Sequence, residues 1–340
     1  DQDEPVRAYA APDQPPAPSG KPETKKKEPA VAQQNDAAFA EREAALAAEV
    51  DVTHLSNQAD PQAFLATHGA RFTGLSTSAP AGASAALLAA LPGLRVISSH
   101  GVGLDKIDLE VAAQRNIAVG YTPDVLNDCV ADLAMALLLD VARGASAADR
   151  FVRRGDWPQG KFQLGRKVTG QRLGILGLGR IGRAIAQRAT GFDMQIRYTN
   201  RKPVAGVPWQ FEPALVELAR WADTLVVITA GGAATRHLVN AEVLQALGPD
   251  GFLVNVARGS VVDQDALVQA LQTGAIAGAG LDVYADEPQV PAELMALDNV
   301  VLLPHIASAT RETRQAMEAL TVANLRAFYA DGAVQVSALE

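Results

Sequence analysis

The chain has 340 residues, 48% of them hydrophobic, and a formal net charge of −8. That length suggests two domains with sizeable cores, and the acidic balance argues against nucleic acid as the partner, because phosphate backbones are met by basic surfaces. The single cysteine, Cys129, excludes an internal disulfide and a cysteine-based zinc site.

Residues 1–27 are rich in Pro, Ala, Lys and Glu. They bury too little apolar surface to offset their ordering entropy, which predicts a flexible tail. Short apolar strands then alternate with helical patterns. Strands are expected at Ala30–Gln33, Val50–His54, Phe72–Ser76, Leu94–Ser98 and Ile117–Val119, and helices at Ala37–Ala48, Asp60–His68 and Ala83–Leu91. A long helix, Leu126–Ala142, and a second one reaching Arg154 break the rhythm. Cys129 lies in this apolar run and reads as a core residue. The run Val130–Ala142 carries Asp132 and Asp140, so it is too short and too charged to span a bilayer. No secretory apolar segment is visible near the start, and the expected location is cytoplasmic.

The alternation resumes with strands at Arg172–Leu176, Gln195–Thr199, Thr224–Thr229, Phe252–Val256, Ala277–Asp282 and Val300–Leu303. Helices at Arg180–Thr190, Pro213–Trp221, Ala241–Leu247 and Asp265–Thr273 separate them, and Glu312–Tyr329 follows. The pattern predicts an α/β fold of two doubly wound parallel-sheet domains with a cleft between them. The expected division is a substrate-binding domain over residues 28–124 plus 314–340, and a dinucleotide-binding domain over residues 125–313.

Between the first two strands of the second half stands Gly177-Leu178-Gly179-Arg180-Ile181-Gly182. A G-x-G-x-x-G element after a strand and before a helix marks a dinucleotide site. Gly177 and Gly179 let the backbone approach a pyrophosphate, the amides of Arg180 and Ile181 open the helix towards it, and Gly182 lets the helix pack on the sheet. An acid that holds the ribose hydroxyls of NAD is expected roughly twenty residues on. This chain has Asn200-Arg201-Lys202 there. A neutral Asn removes the repulsion of a 2′-phosphate, Arg can fork onto it, and Lys adds a point charge. The alternative is a pair of ordinary surface cations. The position favours NADP(H), with NAD(H) as the second option.

Three later strands end in chemistry-bearing residues: Arg258, then Asp282 with Glu287, then His305. Ligands in open α/β sheets bind beyond the carboxyl ends of the strands. A guanidinium there suits a carboxylate, and a protonated imidazole beside a carboxylate suits the alkoxide formed when a 2-keto acid is reduced. The remaining histidines show no metal-ligand spacing, so no metal is expected.

The runs NVARGSVVD (Asn255–Asp263), GAGLDVYADEP (Gly278–Pro288) and LPHIASAT (Leu303–Thr310) resemble the catalytic signatures of the D-isomer-specific 2-hydroxyacid dehydrogenases. GLGRIG resembles the coenzyme signature of that family, SSHGVGLDKID (Ser98–Asp108) its substrate loop, and TPDVLNDCVAD (Thr122–Asp132) the start of its interdomain helix. The resemblance runs from about residue 29 to 335 and implies two Rossmann-like domains. It implies Arg258 as the residue that holds the substrate carboxylate and polarises the keto oxygen, His305 as general acid/base, and Glu287 as its partner. It also implies Asp282 at the nicotinamide carboxamide and Ala257 beside the coenzyme. The amides of Val102 and Gly103 would cradle the substrate carboxylate, and Ser78, with Leu75 and Thr77, would face the cleft. A homodimer is implied, with Leu126–Arg154 in the interface. Trp157 and Pro158 follow that arm and read as ordinary packing, with a contribution to the substrate pocket as the alternative. RYTNRKP (Arg197–Pro203) is similar to NADPH-using glyoxylate/hydroxypyruvate reductases, whereas His100 stands where that family more usually has Asn. The implied activity is reduction of glyoxylate or hydroxypyruvate. The alternatives are a 2-ketogluconate-type reductase and a nucleotide-sensing co-repressor built on the same fold.

Overall fold

The alternation of strands and helices resolves into two separate parallel sheets. The computed structural model describes residues 30–33 and 50–339. The expected tail (1–27) and the expected helix Ala37–Ala48 lie outside the described residues. The first sheet contains β1 (Ala30–Gln33), β2 (Asp51–His54), β3 (Phe72–Ser78), β4 (Val96–His100) and β5 (Ala118–Gly120), in the order β2-β1-β3-β4-β5. Its crossovers carry α1 (Pro61–His68), α2 (Ala85–Ala90) and α3 (Leu109–Gln114). Each starts on a side-chain cap: the carboxylate of Asp60, the hydroxyl of Ser84 and the carboxylate of Asp108 accept orphan amides of the first turn. Strand β4 begins two residues later than expected because Leu94 still bonds back to the Leu91 carbonyl (3.1 Å). His100 therefore ends the strand instead of opening the loop.

Helices α4 (Asn127–Arg143) and α5 (Ala145–Arg153) link the halves, divided by Gly144 in the left-handed conformation (φ 63°). The second sheet then alternates β6 (Arg172–Leu176), α6 (Arg180–Thr190), β7 (Gln195–Thr199), β8 (Gln210–Phe211), α7 (Leu215–Trp221), β9 (Thr224–Val227), α8 (Ala241–Leu247) and β10 (Phe252–Asn255). It continues through α9 (Gln264–Gln272), β11 (Gly278–Leu281), α10 (Ala292–Met295) and β12 (Val300–Leu302). Strand order is β12-β11-β10-β9-β6-β7-β8, with every pair parallel. Order reverses between β9 and β6, which opens a crevice at their carboxyl ends.

Alternation within the central strands explains why both faces of this sheet are covered. Ile175, Val226 and Val254 point into one apolar cluster with Leu137, Leu138 and Ile185 of α4 and α6. Leu225, Val227 and Leu253 point into the opposite cluster with Leu218, Val243 and Leu267 of α7, α8 and α9. Side chains such as Ile175, Leu225 and Leu253 are fully buried, and each buried aliphatic residue stabilises the fold by about 1.5–3 kcal/mol relative to leaving it exposed.

Helix α11 (Arg311–Asp331) leaves the second sheet and packs on the first. Val322, Leu325 and Phe328 join Val96 in one cluster. The Ser98 hydroxyl donates to the Thr321 carbonyl (2.8 Å), and the buried Asn324 amide donates to Tyr121 O (3.1 Å) while its oxygen accepts from Val336 N (2.9 Å). No helix among the described residues is long and apolar enough to cross a membrane.

Two expectations are corrected. Cys129 is half-buried, with its thiol 3.7 Å from the Thr310 hydroxyl, because the core-facing stripe of α4 passes through Val130, Ala134 and Leu138 instead. Trp157 is 68% exposed and takes up little packing within its own chain, because the segment after α5 runs over the surface.

Candidate active site

The glycine loop sits where β6 turns into α6. Gly177 adopts φ 106°, and a Cβ there would fall 2.7 Å from the Thr229 amide nitrogen. A Cβ on Gly182 would lie 2.1 Å from the Gly177 carbonyl oxygen, so only glycine lets α6 pack this close. Gly179, the residue before α6, faces open space. This is a cradle with free amides at a helix N-terminus, and it fits a dinucleotide pyrophosphate. Arg180 opens the helix; its guanidinium reaches Asp124 (3.1 Å) and the Tyr121 hydroxyl (3.5 Å). Ile181 packs partly buried against the cluster below α6.

Asn200 has a structural task that the sequence did not reveal. Its side-chain oxygen accepts the Leu178 amide at 2.7 Å, which ties the loop after β7 to the glycine loop. The buried Tyr198 hydroxyl accepts from Val204 N at 2.8 Å and pins the other end of that loop. Arg201 and Lys202 stand exposed between these two anchors. Two cations on a loop fixed at both ends present a defined site for a phosphate.

The second cluster lies beyond the ends of β10, β11 and β12. Ala257 is buried, and its carbonyl accepts from Arg258 Nη1 (2.7 Å). The buried Asn255 side chain accepts from Ala257 N and donates to the Arg258 carbonyl (both 3.1 Å), which fixes the turn. A Cβ on Gly103 would fall 1.6 Å from Arg258 Nη2, so the guanidinium lies directly against the backbone of the loop after β4. Val102 is half-buried beside it. Ser78, at the end of β3, is buried and accepts weakly from Ala81 N (3.4 Å). Two further cleft candidates are corrected. Leu75 is fully buried in the core of the first sheet, because alternation turns it inward. Thr77 is also buried, and its hydroxyl donates to the Gly82 carbonyl (2.6 Å).

His305 adopts φ 54°, an uncommon backbone conformation for a residue other than glycine. The reason lies in Asp282, which is fully buried at the end of β11. Its two carboxylate oxygens accept the amides of Ile306 (2.7 Å) and Ala307 (2.9 Å) and hold the backbone on one side of the histidine. Burial raises the Asp282 carboxyl above the usual aspartate range, against the pull of those two amides. Both oxygens point at this loop, so the residue builds the site as well as lining it. Tyr284 closes the other side by donating its hydroxyl to the Leu303 carbonyl (2.9 Å), and burial pushes that hydroxyl up to about 12.

Glu287 completes the cluster. One oxygen accepts the Tyr284 amide (3.0 Å), and the other meets His305 Nδ1 at 2.7 Å. Burial works against the charged carboxylate. The bonds from His305 and Tyr284, with the nearby charge of Arg258, overcome it and hold Glu287 below the usual glutamate range. An ionised Glu287 fixes the tautomer that places a proton on Nδ1. Nε2 makes no hydrogen bond among the described residues, and the ring is 36% exposed. That edge can exchange a proton with a ligand held by Arg258. Sequence reasoning assigned no role to Asn255, Tyr284 or Asp105, although all three lie inside the runs that carry the family resemblance. Among the described residues no three His, Cys, Asp or Glu side chains gather as a metal site requires.

A family model described as "D-isomer specific 2-hydroxyacid dehydrogenase, NAD binding domain" matches residues 135–307. Glyoxylate/hydroxypyruvate reductase A of Arabidopsis thaliana is 48% identical over 265 residues, covering 78% of this chain and 85% of that protein. The 2-ketogluconate reductase of Gluconobacter oxydans is 46% identical over 258 residues, covering 76% and 83%. The crystal structure of an NADPH-dependent glyoxylate/hydroxypyruvate reductase from Sinorhizobium meliloti, in complex with NADP and malonate, superposes with a TM-score of 0.85. It is 41% identical and covers 91% of this chain and 96% of that one. The chain belongs to the D-isomer-specific 2-hydroxyacid dehydrogenases.

Proposed function

We propose that this chain is an NADPH-dependent reductase of small 2-keto acids, glyoxylate and hydroxypyruvate first among them, giving D-2-hydroxy acids. The observation that carries the reading is the Glu287–His305 hydrogen bond of 2.7 Å beside an arginine that abuts the Gly103 backbone. The amides of Val102 and Gly103 hold the substrate carboxylate, an anion nest of the kind glycine turns form. Arg258 draws electron density onto the keto oxygen. NADPH, when bound, supplies the hydride that reaches C2. His305 delivers the proton from Nε2 to the developing alkoxide, and Glu287 keeps the imidazole oriented and favours its charged form. Gly177, Gly179 and Gly182 with the first amides of α6 receive the pyrophosphate, and Arg201 and Lys202 receive the 2′-phosphate. Ala257 and Asp282 border the nicotinamide end. The substrate domain is residues 28–124 with 314–340, and residues 125–313 form the coenzyme domain.

A sugar-acid substrate is the second reading, favoured by the Gluconobacter relative named a 2-ketogluconate reductase. We place the enzyme in the cytoplasm, in keeping with its single cysteine. The proposed assembly is a homodimer: the large apolar side chains of Val152 on α5 and of Trp157 and Leu164 after it are 52%, 68% and 98% exposed, as residues covered by a second copy would be in one chain. Sedimentation equilibrium is expected to give twice the chain mass, and a monomer at micromolar concentration contradicts the dimer.

The coenzyme assignment predicts a higher kcat/KM with NADPH than with NADH in glyoxylate reduction. The double variant R201A/K202A should raise KM for NADPH about tenfold or more, since it removes charge-assisted phosphate contacts, and leave KM for NADH near its original value. Equal or better turnover of the unaltered enzyme with NADH overturns the assignment.

His305→Ala should lower kcat by about 10²–10⁴-fold without weakening NADPH binding; turnover near that of the unaltered enzyme contradicts its role. Glu287 adds a pH signature. Its folded-state carboxyl lies below the ordinary value of 4.5, so its contribution to stability is full above that pH and disappears as pH falls through the folded value. Glu287→Gln should therefore melt at a lower temperature than the unaltered enzyme at neutral pH, with the gap closing in acid. A gap that widens as pH falls contradicts the pairing.

A further inference from the structure

We infer that Asp105 is a positioning residue for Arg258, an ion pair that aligns the substrate-binding guanidinium across the cleft. This inference rests on the reading of Arg258 as the cation that meets the substrate. Asp105 follows β4 on the substrate loop, and its Oδ1 accepts from Arg258 Nε at 3.2 Å. The two side chains are only 16% and 27% exposed. Arg258 comes from the loop after β10, so the pair joins the two sheets.

The donor inventory shows what the pair accomplishes. A guanidinium carries N–H groups on Nε, Nη1 and Nη2. Asp105 takes the one on Nε, and the Ala257 carbonyl takes one on Nη1 (2.7 Å). The N–H groups left over are on the outer end of the fork, and Nη2 is the atom pressed against Gly103. That end faces the backbone whose amides would hold the substrate carboxylate. An arginine without Asp105 would keep a flexible stem and sample several rotamers, and the substrate would have to select one of them.

A third loop supports the arrangement. A Cβ on Gly231, after β9, would lie 2.8 Å from Arg258 Cγ and 3.2 Å from Asp105 Cγ. Any side chain there wedges against both members of the pair. Loops from β4, β9 and β10 thus converge on one salt bridge, and the sequence separation of 153 residues between its members is bridged only by the fold.

The test uses the full chain loaded with NADPH and the unreactive keto-acid mimic oxamate as probe, with binding read by protein fluorescence and glyoxylate kinetics in parallel. Asp105→Ala should raise the oxamate Kd and the glyoxylate KM by up to about 100-fold, the scale expected when a catalytic group is misplaced by an ångström. The NADPH Kd should not move, which separates positioning from general loss of structure. Asp105→Asn, whose amide oxygen still accepts from Nε, should recover most of the binding. Gly231→Ala should reproduce the Asp105→Ala defect even where the latter folds poorly. Oxamate affinity within twofold of the unaltered enzyme in both Asp105→Ala and Gly231→Ala, absence of oxamate binding in every form, or an Asn variant as weak as the Ala variant overturns the inference. Oxamate binding that depends on Asp105, in an enzyme that fails to reduce glyoxylate, overturns the reaction reading and leaves the pairing standing.

Discussion

A buried carboxylate holds the reactive end of this molecule in place. Asp282 is shut off from solvent, and the backbone amides of Ile306 and Ala307, which its two oxygens accept, offset part of the cost of burying it. A buried charge without partners would be strongly destabilising, so the loop after β12 has little freedom to leave it. The residue that precedes those amides, His305, is thereby kept in a left-handed conformation that costs of order 1–3 kcal/mol when unsupported. Its ring then meets Glu287, which is itself anchored by the Tyr284 amide. The geometry of the imidazole is thus set by a chain of contacts that begins in the core, and substrate has little of it left to arrange.

The electrostatics follow the same economy. Glu287 is ionised because it has an imidazole, an amide and a guanidinium around it, although burial opposes the charge. Arg258 is steadied by Asp105 on one edge and by a backbone carbonyl on another. Charges of both signs lie close together in a half-buried cleft, each stabilised by its neighbours, and the outer end of Arg258 and Nε2 of His305 are left for a ligand. At the far side of the crevice Asn200 and Tyr198 anchor a loop that carries two unpaired cations among the described residues. One end suits a carboxylate and keto oxygen, the other a phosphate, and the glycine loop lies with the second.

Much of the fold is legible in the sequence for a physical reason. A parallel strand covered on both faces reads as a nearly continuous apolar run, as Arg172–Leu176 does, and both it and the more mixed Gln195–Thr199 have the bounds expected. Helix α6 does too, because glycines mark its start and Gly191 its end. The two-residue β8 carries no periodicity and was missed. Helix α3 was missed although Asp108 caps it, because only six residues follow. At the site, Arg258, Glu287 and His305 are visible because each follows a strand whose carboxyl end opens on the crevice. Asp105 and Asn255 are not, because their work is defined by partners that only folding brings near. Leu75 shows the complementary error: a residue placed at a strand end by sequence faces the core once alternation assigns its side. Asn200 was noticed for the charge it lacks and turns out to hold the glycine loop as well.

In the proposed reaction Arg258 and His305 grip the same keto acid, one at its carboxylate and carbonyl and the other at the carbonyl oxygen alone. A crystal structure of the enzyme with NADPH and oxamate tests it most directly. The oxamate carboxylate is expected on the amides of Val102 and Gly103 and its carbonyl oxygen within hydrogen-bond reach of Arg258 and of His305 Nε2, with the His305 Nδ1–Glu287 bond retained. Oxamate bound away from this cluster, or a His305 ring turned so that Nε2 no longer faces the carbonyl, would contradict it.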